Sequence, residues 1–208
     1  TVESARSHKD ENFDPEWIEY SFTAWAQCTH PRCKQKFAIA GRGGVGPEHQ
    51  EDGDWNWEDF FSPLFCHPMP HIIELPEKCP EDITSELEAA FTLFWETPAA
   101  CAGRIRVALE LLMNHLGVPK RKKTNSGGFT DLTLHGRIDS FAAKESVIGP
   151  QLMALKWLGN TGSHDGEVSK ADLLDAFEIL EHVLKEILER RSARVAELAK
   201  KLLKKHGR

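Results

Sequence analysis

The chain has 208 residues, with 26 Lys or Arg against 32 Asp or Glu and a formal net charge of −6. Hydrophobic residues make up 40% and charged residues 28%, the balance of a water-soluble globular protein with one sizeable core. No apolar run approaches the ~20 residues that span a bilayer, no basic-then-apolar leader opens the chain, and the five cysteines are odd in number and scattered. Membrane and secreted disulfide classes are therefore set aside, and a reducing cytoplasm is expected.

Residues 1–79 are rich in Pro, Gly, Trp and His. Short apolar pieces such as Trp17–Phe22 and Phe37–Ile39 stand out, and the cluster from Gly41 to Gly46 reads as a turn which, with alternating residues on either side, suggests a hairpin or short irregular sheet. His67–Pro76 is expected to be extended, because each proline disfavours a helix before it. This part is read as a small, irregular β and loop subdomain.

From Pro80 the pattern takes a helical period. Ile83, Leu87, Ala90, Phe91 and Phe94 form one stripe, and Pro80 suits a helix start. A second helix begins at Pro98, keeps Ile105, Leu109, Leu112 and Leu116 in line, and stops at Gly117. Residues 118–130 read as a polar loop. A third helix carries Leu134, Ile138 and Phe141, and a fourth carries Leu152, Leu155 and Leu158. The fifth opens at Ser169, which caps its first turn, and runs through Leu173, Phe177, Leu180 and Leu184. Its period continues through Val195, Leu198 and Leu202, longer than one small core needs. A projecting arm or dimer-forming helix is the expected use, and the fold class is expected to be mainly α, a helical bundle over residues 80–208.

Charge is unevenly spread. Between Pro47 and Glu96 stand thirteen acidic residues and one basic one, Lys78; between Arg190 and Arg208 stand eight basic residues and one acidic one, Glu197. A smaller basic run, Lys120–Lys123, lies between them. Such blocks mark nucleic-acid contacts or, in the plainer reading, a solvated helix face and loop; the acidic stretch argues against DNA-like duplex binding over the whole surface, leaving a local basic patch.

Cys28 and Cys33 flank a short Pro-containing segment and resemble half of a structural zinc site, which needs four ligands. A second short-spaced pair is missing; Cys66, His67 and Cys79 are the nearest candidates. Small buried thiols are the alternative reading. The most chemical stretch is Lys156–Gly166, where an apolar helix gives way to Gly159, Asn160, Thr161, Gly162, Ser163 and His164. His164 has the acid–base range of a catalyst, Asn160 can orient a phosphate or carbonyl oxygen, and Lys156 can neutralise charge. A helix-ending Asn and a backbone-bonded His are the plainer reading. Arg106 and Glu110 are spaced i, i+4, and Arg137 sits among apolar neighbours, so an inward-facing arginine would need a carboxylate partner. Arg106, Glu110, Asn160 and His164 are expected to meet around one polar pocket between the second and fourth helices.

The strings Arg104–Glu110, Leu134–Ile138 and Lys156–His164 resemble the bacterial domain of unknown function 4145 family, which is similar to the HEPN superfamily of small helical bundles. That resemblance implies a homodimer, often with RNA-cutting activity in phage defence or restriction. Active members carry an arginine four to six residues before the histidine; here Gly159 takes that place. Cleavage by the ribose 2′-hydroxyl needs a base and a cation for the developing charge, so His164 would need Lys156, Arg106 or Arg137 as its cation. The resemblance thus implies a degenerate dimerising module that binds RNA, a nucleotide or a protein partner. The alternatives are a metal-independent endoribonuclease using His164, Asn160 and Lys156, and a zinc-stabilised protein adaptor.

Overall fold

The structure, a computed structural model, describes residues 2–3, 11–31, 33–49, 55–124, 127–143, 145–161 and 167–207. It divides into two compact units, Thr1–Pro70 and His71–Arg208.

The first unit is an antiparallel sheet of β1 (Val2–Glu3), β2 (Glu19–Gln27), β3 (Lys36–His49) and β4 (Trp55–His67), in that order. This overturns the mainly α expectation: about half of the chain is helical, and the protein is mixed α/β. The expected glycine turn is the middle of a strand. Gly41 pairs with Phe22 on one side and Pro63 on the other, and Gly43 pairs with Tyr20 and Phe61. A Cβ on Gly41 would run into the Ser62 carbonyl oxygen and stand 2.7 Å from the Phe22 ring, and one on Gly43 would run into the Phe60 carbonyl oxygen and stand 3.1 Å from the Phe61 ring. These strand positions take glycine because the β4 backbone, with the rings of Phe22 and Phe61 behind it, leaves no room for a side chain. Phe22 and Phe61 meet edge-on at 5.2 Å, and Tyr20 stacks on Phe61 at 5.9 Å while its hydroxyl donates to Asp59 at 3.0 Å. The pairing slips once between Ala40 and Gly41, a bulge beside Pro63, where a residue without an amide proton is tolerated.

The second unit is helical: α1 (Glu81–Leu93), α2 (Pro98–His115), α3 (Leu134–Ala142), α4 (Gly149–Thr161), α5 (Lys170–Glu189) and α6 (Arg191–His206). Residues 118–130 differ from the expected loop: β5 (Arg121–Lys123) and β6 (Phe129–Asp131) form a hairpin. Ile83, Leu87 and Phe91 of α1, Ile105, Leu109 and Leu112 of α2, Leu152 and Leu155 of α4, and Leu173, Phe177 and Leu180 of α5 are fully buried. Each such side chain contributes about 1.5–3 kcal/mol of burial. Phe177 is the hub, with Phe91 at 5.3 Å and Phe94 at 6.3 Å. α2 ends at Gly117 in the left-handed region, φ 67°, with the Val118 amide donating to Met113 O at 3.0 Å. Ser169 and Asp172 form a reciprocal capping box at the start of α5.

The long C-terminal period is broken. Arg190 takes φ 51° and ψ 46°, so α5 ends there and α6 begins as a separate helix whose first turn is held by Glu186 accepting from the amide and hydroxyl of Ser192. No described residue of α6 is buried; Val195, Leu198 and Leu202 lie exposed.

Candidate functional site: a cleft between α2, the β5–β6 hairpin and α3

Arg106, Glu110 and Asn114 recur every four residues along α2 and therefore share one face. That face, with Lys120, the end of β6 and the start of α3, encloses a cleft of about 460 Å³ lined by Arg106, Glu110, Asn114, Lys120, Asp131, Thr133 and Arg137 among others.

Arg106 is held from two sides. Its Nη1 donates to Asn160 Oδ1 at 2.8 Å and its Nε lies 3.5 Å from Glu110 Oε1. The contact with α4 depends on Gly159: a Cβ there would stand 2.6 Å from Arg106 Cβ and 3.1 Å from the Ala102 carbonyl oxygen. Arg106, Glu110 and Asn160 are thus brought into contact, but Asn160 does not line the cleft, which is bounded by α2, the hairpin and α3 and not, as expected, by the second and fourth helices. His164 lies outside the described residues.

Arg137 is only 5% exposed. Its Nη2 donates to Asn114 Oδ1 at 2.9 Å and to Val118 O at 3.0 Å, and its Nη1 donates to Glu110 O at 3.4 Å. The guanidinium therefore ties α3 to the last turns of α2 and to the segment that follows it. Burial lowers its pKa from the usual arginine value, with the Glu110 carboxylate opposing that shift. Its Nε is buried and has no hydrogen-bond partner among the described residues.

Lys156 takes another environment. It is 6% exposed, and its Nζ lies 3.4 Å from the centre of the Trp157 ring, a cation–π contact. The Trp157 ring in turn meets the His135 imidazole edge-on at 6.0 Å. Lys156 is not among the residues lining the cleft.

Cys28 and Cys33 flank the turn between β2 and β3, where the Cys28 amide donates to Gln35 O at 2.8 Å and the Cys33 amide to His30 O at 3.1 Å. Among the described residues no group of three or more His, Cys, Asp or Glu is gathered to hold a metal ion. These residues offer two thiols of the four ligands that structural zinc takes, and no step is assigned to a metal.

Asn114, Asp131 and Thr133 were not anticipated from sequence, and Lys120 stood out there only as the first residue of a basic run. Asn114 continues the Arg106–Glu110 spacing, a signal that was present. The other three enter through the hairpin, which the polar composition of residues 118–130 concealed.

These features define a mixed α/β protein whose helical unit carries a ligand-sized polar cleft. The chain belongs to the family described as Domain of unknown function (DUF4145), which matches residues 88–205. Residues 1–66 match a second description, Domain of unknown function (DUF8608). No curated protein and no solved structure matches the chain.

Proposed function

We propose that the helical unit is a degenerate HEPN-like module of a bacterial defence or restriction system, which dimerises and binds a phosphate-bearing ligand, RNA or nucleotide, without cutting it. The observation that carries this reading is the packing of Gly159. It stands where the resemblance places the arginine of HEPN ribonucleases, and the space beyond its Cα is filled by Arg106 and the Ala102 carbonyl. A side chain at this position would have to push α4 away from α2. The cation at this spot is instead Arg106, which comes from α2 and is tied to Asn160 and Glu110, so the position of the ribonuclease arginine carries no charged side chain of its own. The uncovered Val195–Leu198–Leu202 stripe of α6 supports the dimer.

The test is incubation of the purified protein with total cellular RNA, wild type beside His164→Ala, with and without chelator, together with binding of a labelled single-stranded RNA. Intact RNA and saturable binding weakened by Arg106→Ala are expected. Chelator-insensitive cleavage that disappears in His164→Ala would overturn the reading and make the protein an endoribonuclease.

A further inference from the structure

We infer that α6 is an arm exchanged between two copies of the chain, its aliphatic stripe seated in the partner on an apolar groove at the end of the helical unit. The inference rests on the reading of that unit as a dimer, and it names the surface that holds the dimer together.

The break before α6 is the first observation. Val195, Leu198 and Leu202 stand eighteen residues after Phe177, Leu180 and Leu184 respectively, about five helical turns. On an unbroken helix they would extend the stripe that α5 turns to the core. Instead Arg190 takes φ 51° and ψ 46°, in a stretch from Glu186 to Ala193 that holds neither Gly nor Pro. A left-handed arginine is strained and persists only where its surroundings hold it. The break leaves Val195, Leu198, Leu202 and Leu203 50–69% exposed.

The groove is the second observation. Leu116, Phe141, Ile148 and Ile187 line a cavity of about 460 Å³ that also carries Glu145 and Glu186. Val147, next to Ile148 in the chain, is exposed as well. Ala193 borders the same groove, so groove and arm lie at one end of the unit. Only this first-turn residue of α6 reaches the groove of its own chain. The stripe from Val195 to Leu202 lies further along the helix, within reach of a groove in a second copy.

Charge decides the occupant. α6 carries six Lys or Arg against Glu197 alone, and Arg194, Lys201 and Lys205 flank one side of its stripe. Two arms laid stripe to stripe would bring like charges together, which is destabilising. The groove has the opposite sign. Glu145 is exposed and forms no ion pair among the described residues, and Glu186 already holds the first turn of α6 through Ser192. An aliphatic stripe edged by cations thus meets an aliphatic groove edged by carboxylates. A two-fold axis beside Arg190 makes the exchange reciprocal, so each dimer makes the contact twice.

The full chain is tested by sedimentation equilibrium, and an equilibrated mixture of ¹⁴N- and ¹⁵N-labelled chains by carbodiimide cross-linking with mass mapping. A dimer is expected, with mixed-isotope links from Glu145 to Lys201 or Lys205. Leu198→Glu, at an exposed position, should raise the dimer dissociation constant roughly tenfold or more. Glu145→Lys should weaken the dimer too, and adding Lys201→Glu with Lys205→Glu should restore it. A dimer that Leu198→Glu and the charge reversals leave intact overturns the exchange while leaving the dimer reading standing. Links from Glu145 to α6 within one chain only, or a dimer linked only from Glu197 of one arm to lysines of the other, do the same. A chain that is monomeric at every concentration overturns both. If that monomer sediments with phosphatidylglycerol vesicles and Leu198→Glu abolishes this, the stripe belongs to an anionic lipid surface instead.

Discussion

Gly159 of α4 lies so close to α2 that a Cβ on it would stand 2.6 Å from the Cβ of Arg106. This contact sets where the Arg106 guanidinium stands and brings it to Asn160, the next residue after Gly159. The absence of a side chain at one position thus places the cation that borders the cleft.

Gly159→Ala should destabilise the protein even though it lies inside a helix. Helix propensity alone favours alanine by ~1 kcal/mol, but forcing a methyl against Arg106 Cβ and the Ala102 carbonyl costs about 1–3 kcal/mol, because neither can swing aside as a long side-chain tip can. Urea denaturation should show a lowered midpoint, more so for Gly159→Arg. An unchanged midpoint for both variants would mean that α2 and α4 are free to separate.

Arg137→Ala removes three hydrogen bonds between α3 and the end of α2. It leaves Asn114 Oδ1 and Val118 O without that donor, and a loss of about 2–4 kcal/mol is expected. Arg137→Lys should recover only part of it, since a single ammonium cannot copy the planar fork. The two unfolding free energies, compared with wild type, check this ordering.

The capping box of α5 makes stability depend on pH. The Ser169 hydroxyl donates to Asp172 Oδ2 at 2.6 Å and its amide donates at 3.1 Å, holding the Asp172 carboxyl below the usual aspartate value. A carboxyl depressed on folding stabilises the native state above its unfolded pKa, and the contribution is lost as pH falls through the folded pKa. Ser169→Ala should therefore lower stability near neutrality, and the gap from wild type should narrow as the solution is acidified below the carboxylate range. Thermal midpoints measured across that range test the sign.

The thiols should react in an order set by exposure. Burial pushes Cys101 up to about 12 and also raises Cys66 and Cys79, whereas Cys33 is exposed. Native labelling with a thiol reagent at mildly alkaline pH should modify Cys33 well before Cys101, with peptide mass mapping as the readout. Early labelling of Cys101 would contradict its place in the core beside Ala102 and Ile105.

Much of the helical unit was legible in the sequence. The stripes of α1 to α5, the cap at Ser169 and the stop at Gly117 are local signals, because residues three and four apart on a helix share a face and so report directly which side is buried. The meeting of Arg106, Glu110 and Asn160 was legible for a related reason: each is a polar group set into an otherwise apolar helix. The glycines of β3 carried the opposite lesson. Their turn signal is local, yet they are strand residues, where the carbonyls of β4 and the rings of Phe22 and Phe61 from neighbouring strands leave no room for side chains. The cleft likewise needed the tertiary structure. Lys120, Asp131 and Thr133 join α2 only after the hairpin folds back, and Arg137 is recognised as a clamp only once the end of α2 lies against it. Sequence period determines which face of an element turns inward; only packing between distant segments decides what that face meets.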